Sequence, residues 1–380
     1  MLYDDQEWHE LSAECRRDTA AMDCLAGQAE AAAVLPLLSV TQKRHALPPE
    51  ATRNDYVSIG PYWWPDPERA DGVPWIRRDG EVNPQYREYD NERFKSFCGR
   101  TALLLLASRV LERPELAAAA GAGLRHWFLA PATRMKPHLE YAQGVPGRSQ
   151  GRCYGIIEAR ELIYVFALLA PVAADTRLTA AEWAGLQEWV VAFLDWLLNS
   201  PLGREECATL NNHAVAYDNL VAGLAVFSGQ PDLAREHLAR HLPQRLEQLA
   251  EDGSLPLELA RTNSKSYSVF CLQALFQEAL QARAFGQEVF RQRNSRGATL
   301  ELAWEWLRPR LEPESPWPWP QISPYSIENT AGIYALAYRM NGRDADLEVA
   351  RRRQRWPWER FVPAGLMGAL AATGTASDGA

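Results

Sequence analysis

The sequence predicts an all-α protein built from antiparallel helical hairpins, and three observations carry that prediction. Apolar residues recur at helical spacing from Asn91 almost to the end of the chain. Examples are Phe94, Phe97, Leu104 and Leu111; Trp183, Leu186, Val190, Phe193 and Leu197; and Val269, Leu272, Phe276 and Leu280. The breaks between these stretches are short: Arg113-Pro114, Ala130-Pro131, Ala170-Pro171, Ser200-Pro201, Ser228-Gly229 and Asp252-Gly253. Short connectors make neighbouring helices antiparallel. Third, no convincing strand run is visible. Roughly ten to twelve helices are expected on this reading. A curved or closed ring of helix pairs with a concave inner face fits them best, and the lack of a fixed-period repeat argues against a regular solenoid.

Taken in order, residues 6–35 read as one or two helices that end in the apolar run Ala31 to Leu38. The segment from about Ala46 to Tyr89 then contains Pro48, Pro49, Pro61, Pro65, Pro67, Pro74 and Pro84 with Gly60, Gly72 and Gly80. Proline at that density removes amide donors and excludes helix, so an extended loop is expected. Its rings, Tyr56, Tyr62, Trp63, Trp64 and Trp75, argue against disorder. Either it is a proline-aromatic strap packed on the outside, or residues 54–86 form a lid lined with sugar-stacking rings. Residues 131–155 form a basic, glycine-rich interruption carrying Arg134, Lys136, Arg148 and Arg152. Arginine suits bidentate contact with carboxylates. Pro316-Trp317-Pro318-Trp319-Pro320 reads as a rigid aromatic loop that either flanks a cleft or, the preferred reading, packs structurally, and residues 373–380 read as a disordered tail. At 380 residues the chain calls for two domains or one repetitive architecture. The helical pattern favours the second, a single domain over residues 1–372.

Composition excludes several function classes. A net charge of −8 disfavours a nucleic-acid binder, and an anionic ligand would need a local basic cleft. No run of apolar residues is long enough for a transmembrane helix. The acidic start, Met1-Leu2-Tyr3-Asp4-Asp5-Gln6, is no signal peptide, so the protein is expected to be intracellular unless a leader is absent from this chain. Cysteines 15, 24, 98, 153, 207 and 271 are dispersed, without a Cys-x-x-Cys pair or clustered histidines. Buried free thiols are expected, with no metal site and no cofactor.

The stretch richest in chemistry is Leu210-Asn211-Asn212-His213-Ala214-Val215-Ala216-Tyr217-Asp218. Asn211 reads as a helix N-cap, with Leu210 and Val215 at the positions of a hydrophobic staple. The bland reading is a capped helix with a solvated first turn; the functional one is a helix N-terminus holding an anion beside His213. In Arg261-Thr262-Asn263-Ser264-Lys265-Ser266-Tyr267, Ser264 is the expected cap of a helix running to Leu280, with Tyr267 in its first turn. These pieces converge on β-elimination from a uronic-acid polymer. The C5 proton lies alpha to a carboxylate and becomes acidic only when that charge is neutralised. Donors must therefore meet the carboxylate, a base must take C5–H, and an acid must protonate the departing O4. Asn212 and Arg261 suit the first task, and His213 and Tyr267 are the candidate base and acid. A tyrosinate near neutral pH requires a shift of roughly 3–4 kcal/mol from a free phenol at about 10. A helix N-terminus gives about 0.3–1 kcal/mol, so a cation such as Arg261 must contribute. Histidine, at about 6.5, needs no such help. Stereochemistry favours tyrosine, because in D-mannuronate and D-glucuronate H5 and O4 lie on one side, within reach of a single group.

The chain resembles the alginate-lyase superfamily of polysaccharide lyases, in both its mannuronate-lyase and glucuronan-lyase branches. The matching stretches are Asp55-Tyr56-Val57-Ser58-Ile59-Gly60-Pro61-Tyr62-Trp63-Trp64-Pro65-Asp66-Pro67, Thr133-Arg134-Met135, Tyr141-Ala142-Gln143, Gly151-Arg152, Asn211-Asn212-His213, and Arg261 with Tyr267. The resemblance implies an (α/α) toroid with a tunnel-like cleft, a mobile lid, no metal, and a catalytic group of Asn212, His213, Arg261 and Tyr267. The expected substrate contacts are Tyr62, Trp63, Trp64, Arg134, Gln143, Arg152 and Lys265, facing an anionic polysaccharide. Members of the family are usually exported. Two departures bear on the substrate: Ala214-Val215 follows the Asn-Asn-His motif, and Ser266 and Ser268 flank Tyr267. The Tyr62-to-Pro67 block is closer to the glucuronan branch. The competing functions are a glycoside hydrolase on the same toroid, for which Glu258, Glu328 and Asp218 supply carboxylates, and a carbohydrate-binding protein without turnover.

Overall fold

The computed structural model describes residues 3, 5–363 and 366, so the tail predicted at 373–380 lies outside the described residues. Fourteen α-helices occur among them, with short 3-10 turns and one π-helical turn (Arg125–Leu129) between. Several of the extra helices are too short to show a period, the four residues Pro256–Leu259 being the extreme case. The chain divides into two compact units, one of residues 5–206 and the other of residues 207–363 with Tyr3. No helix of the described residues is long and apolar enough to cross a membrane. None of the six cysteines forms a disulfide.

In the first unit the helices are α1 (Asp5–Arg17), α2 (Thr19–Ala33), α3 (Asp90–Leu111), α4 (Pro114–Leu124), α5 (Leu162–Leu169), α6 (Ala180–Asn199) and the first residues of α7 (Pro201–Cys207). The long α3 is its hub and packs against α2, α4 and α5. Its middle, Gly99-Arg100-Thr101-Ala102-Leu103-Leu104-Leu105-Leu106-Ala107-Ser108, is buried on every face, which is what a helix without a polar stripe requires. Glu112 ends it in the left-handed region (φ 57°), and Pro114 starts α4 at its first turn. On α6 the predicted stripe of Leu186, Val190, Phe193 and Leu197 is buried, and Thr179 with Glu182 forms a capping box.

The expectation of no strands needs correction. The proline-rich strap contains β1 (Val57–Ile59), β2 (Trp63–Trp64) and β3 (Ile76–Arg77), and β4 (Tyr141–Gly144) lies in the basic loop. β1 pairs in parallel with β4, and β2 pairs antiparallel with β3. Two- to four-residue strands flanked by proline are below the length at which alternation can be read. The strap also has a small core of its own. Ile59, Trp75 and Val145 are buried together, with Trp63, Val73, Tyr86 and Tyr89 packed against them.

The second unit continues from α7 with α8 (Asn212–Phe227), α9 (Pro231–Leu246), α10 (Pro256–Leu259), α11 (Ser264–Arg283), α12 (Leu300–Leu307), α13 (Ala331–Asn341) and α14 (Asp344–Arg353). Here α11 is the hub, against α8, α9, α12 and α13. Buried amides tie α8 to α11: Asn219 Nδ2 donates to Ala274 O at 2.9 Å and Gln281 Nε2 donates to Asn219 Oδ1 at 2.6 Å. That interior hydrogen bonding fixes the register of the two helices that carry the candidate chemistry.

Candidate active site

Asn212, His213, Arg261 and Tyr267 all come from the second unit. Asn211 caps α8 as expected, its side chain accepting from the His213 N–H at 3.2 Å. The staple does not form: Leu210 is 74% exposed while Val215 is fully buried. Nor is Ser264 the cap of α11. Asn263 holds that position, and Ser264, already helical, donates to Pro320 O at 2.6 Å and accepts from Trp317 Nε1 at 2.8 Å. The Pro-Trp loop therefore takes over the role expected of a local cap. Gln321 adds its side-chain Oε1, which accepts from the Lys265 N–H at 2.9 Å.

The residue that joins the group is Glu258, in α10. Asn212 donates to it three times: Nδ2 lies 2.9 Å from both carboxylate oxygens, and the backbone N–H is 2.9 Å from Oε1. Burial raises the Glu258 pKa, while the Asn212 hydrogen bonds and the charges of Arg261 and His213 act in the opposite direction. The positive end of α8 thus faces a carboxylate of the protein itself. Arg261 lies over the face of Tyr267, its guanidinium carbon 3.7 Å from the ring centre. Lys265 sits apart from that stack, between Trp317 at 5.6 Å and Tyr325 at 5.2 Å. Burial, with Arg353 nearby, lowers its pKa.

In the first unit, Trp63, Gln143 and Arg152 form one cluster. Arg152 donates from Nε to Gln143 O at 2.9 Å and from a terminal nitrogen to Gln143 Oε1 at 3.0 Å. Its guanidinium also lies 5.4 Å from the Trp63 ring and 5.2 Å from Tyr154. Two glycines make room. A Cβ at Gly60 would come within 2.5 Å of Trp63, and one at Gly151 within 1.8 Å of Glu140 O. Gln143 itself is held at φ 49°, an uncommon conformation for a residue with a side chain. Ser58 Oγ fixes it by accepting from its N–H at 2.8 Å, and Ser58 in turn donates to the buried Glu158 at 2.7 Å. Tyr56 and Tyr86 donate to the same carboxylate at 2.7 and 3.0 Å. Burial raises the Glu158 pKa against these hydrogen bonds. Trp64 packs elsewhere on the strap, donating to Glu81 O at 2.9 Å under Arg78, and Tyr62 accepts from the Arg78 N–H through its carbonyl at 2.8 Å. Arg134 is not in the Trp63 cluster. It is exposed and lines a depression of about 510 Å³ with Phe128, Lys136, Glu182, Glu188 and Trp189.

Among the described residues the fold brings together one set with metal-ligand chemistry that their dispersal in sequence hides. Donor atoms of Cys207, Asp218 and His241 lie within 4.8 Å of one another. Asp218 is already engaged, however, by His237 at 2.7 Å and by Arg245 at 2.5 Å, and Arg245 also reaches Cys207 Sγ at 3.7 Å. A metal ion there would face a fixed guanidinium, so the set reads as a buried ion-pair network.

Comparison with known proteins sets this geometry in context. The model of one family, described as alginate lyase, matches residues 39–317. The chain belongs to the alginate lyase family. Within it, the structure of an alginate lyase from Bacteroides ovatus is 28% identical over 93% of this chain and 95% of that one, with a TM-score of 0.88. Alginate lyase A1-III from a Sphingomonas species is 17% identical over 84% of this chain and 87% of its own, with a TM-score of 0.54. A histidine-to-alanine variant of A1-III complexed with tetrasaccharide is 15% identical over 85% and 88%, with a TM-score of 0.51. No match was found among curated proteins. The fold class is the all-α toroid of helical hairpins expected from the sequence, and the enzyme class is that of a polysaccharide lyase.

Two residues central to these clusters were missed by sequence reasoning: Glu158 as the anchor of the strap, and Glu258 as the partner of Asn212. Each is a lone acid in an apolar run, Gly155-Ile156-Ile157-Glu158-Ala159 and Leu255-Pro256-Leu257-Glu258-Leu259. An unpaired carboxylate in such a run is the available signal that a buried donor awaits it.

Proposed function

We propose that this alginate-lyase-family protein cleaves β-1,4-linked D-uronate chains by β-elimination, leaving 4,5-unsaturated uronate ends. The observation that carries the mechanism is the Arg261 guanidinium 3.7 Å from the centre of the Tyr267 ring. A guanidinium and a phenolate at such a separation attract by about 3–4 kcal/mol at an effective dielectric of about 20. That is the contribution the sequence argument requires beyond a helix dipole. Tyr267 then takes H5 and returns the proton to O4 on the same face of the sugar. Asn212 and Arg261 neutralise the carboxylate, and His213 supplies charge or orientation. Trp63, Gln143, Arg152 and Lys265 contact neighbouring sugars, with Tyr62, Trp64 and Arg134 in secondary contact, and the strap at 54–86 serves as the lid.

Three findings support this reading. The family match draws on both units, which fits a single lyase domain over residues 1–372. Relatives of the same fold are alginate lyases, one of them complexed with tetrasaccharide. Two of the three carboxylates considered for a hydrolase are committed elsewhere, Asp218 to His237 and Arg245 and Glu258 to Asn212, which leaves Glu328 without a second acid to pair with. Glycoside hydrolysis calls for a pair of acids flanking the scissile bond. Between the possible polymers, the Tyr62-to-Pro67 block favours polyglucuronate over polymannuronate. Incubation with polyglucuronate, polymannuronate and polyguluronate, followed by ultraviolet absorbance of unsaturated ends, tests the proposal. Activity is expected on the first two, and silence on all polyuronates would overturn it.

A further inference from the structure

The pair formed by Glu258 and Asn212 carries an inference that rests on the lyase reading and deepens it. Both residues are 1% exposed. Asn212 Nδ2 lies between the two carboxylate oxygens, 2.9 Å from each, while the other end of the same amide, Oδ1, is buried without a hydrogen-bond partner. An unmatched buried polar atom is destabilising, because it has given up its water without a replacement partner. A second arrangement of the same atoms moves the mismatch from the amide oxygen to the amide nitrogen. With a proton on Glu258 Oε2 and the amide turned over, that O–H donates to Asn212 Oδ1, while Oε1 goes on accepting from the Asn212 N–H. Nδ2 is then the unmatched group, with donors and no acceptor, which is the complement of a carboxylate.

We propose that Glu258 is a proton-linked positioning residue: a uronate carboxylate binds to the form in which Glu258 has taken one proton from solvent and Asn212 presents Nδ2. The only bond formed is Oε2–H, and the amide turns by rotation alone. The electrostatics agree. The groups facing Glu258 are Arg261, His213 and, from α11, the Cys271 thiol. Arg261 and His213 favour its ionised form, but burial outweighs them and raises its pKa, and burial keeps the thiol neutral. A second carboxylate arriving in the same site raises the proton affinity further, since like charges disfavour joint ionisation. Substrate binding and proton uptake are therefore linked in the same direction.

The test uses the full chain carrying Tyr267→Phe, so that a mannuronate or glucuronate tetrasaccharide is bound and not consumed. Calorimetric titration in two buffers of different ionisation enthalpy, over a series of pH values, reads the protons taken up. Uptake is expected to rise toward one proton per ligand as the pH is raised, with affinity falling by up to about tenfold per pH unit. Adding Glu258→Gln fixes the turned form, because the glutamine Oε1 accepts from the Asn212 N–H and its Nε2 donates to Oδ1. That variant should retain binding, lose the Glu258-dependent proton and lose that part of the pH dependence. Equal proton uptake with and without Glu258→Gln overturns the inference, as does no uptake in the parent, which requires no substitution at Glu258. These results leave the lyase reading standing. Failure of the parent to bind any uronate oligomer, with no cleavage by the unsubstituted protein, overturns the lyase reading and the inference together.

Discussion

Replacing Arg261 by alanine removes the cation that the proposed chemistry places over Tyr267, and the pH dependence of the loss separates that role from contact with the substrate carboxylate. The guanidinium carbon is 3.7 Å from the Tyr267 ring centre, and the phenolic oxygen lies at the ring's edge. The attraction between the two charges is then about 3–4 kcal/mol at an effective dielectric of about 20. If Tyr267 acts as the phenolate, its removal lowers turnover by about two to three powers of ten near neutral pH. The loss should shrink as the pH is raised toward about 10, where a phenol ionises unaided. The assay is the initial rate of unsaturated-end formation at saturating polyuronate, measured against pH for the protein and Arg261→Ala. The variant's rate should keep climbing after that of the parent has levelled off. If Arg261 served only to hold substrate, the variant would show a raised KM and a rate profile parallel to the parent's. Turnover within tenfold of the parent at neutral pH, or a parallel profile, would refute the role assigned to the stack.

Tyr267→Phe should lower kcat by about 10²–10⁴-fold with KM nearly unchanged, whereas His213→Asn should be milder, and the reverse ranking would make histidine the base. Trp63→Ala should raise KM without loss of helical circular dichroism, since the ring belongs to the strap's small core and not to a helix hub. KM should rise with salt, and Arg152→Ala should flatten that dependence; a KM flat with ionic strength in the unsubstituted protein would refute a carboxylate-reading role. Glu158 has its folded-state pKa raised above the unfolded value by burial. Its contribution to stability is therefore complete below the unfolded pKa and lost as pH rises through the higher folded one. Thermal denaturation should show the Tm of the protein falling relative to Glu158→Gln from acid toward neutral pH, and a constant difference would contradict the assignment.

Much of the helical architecture was legible because long, periodic helices are the strongest signal a sequence carries. The stripe of Leu186, Val190, Phe193 and Leu197 on α6 is one case, and Asn211 capping α8 is another. What escaped was decided by tertiary partners. β1 exists because Val57 and Ile59 find Tyr141 and Gly144 across a long stretch of chain, not because of any alternation of their own. Ser264 lost its cap role to distant competitors, Pro320 and Trp317. The motif residues Asn212, His213, Arg261 and Tyr267 stood out by chemistry, whereas Glu258 entered only as a carboxylate for the competing hydrolase reading and nothing in the sequence paired it with Asn212. Burial alone distinguishes Glu258, and burial is a property of the fold.

The central claim is elimination, and the mass balance of the products tests it most directly. Polyglucuronate or polymannuronate of defined length is cut by the protein and the fragments are weighed by mass spectrometry. Elimination predicts fragments whose masses sum to that of the parent chain, each cut leaving one unsaturated end. Fragments that together gain one water per cut, with saturated ends throughout, would contradict the account.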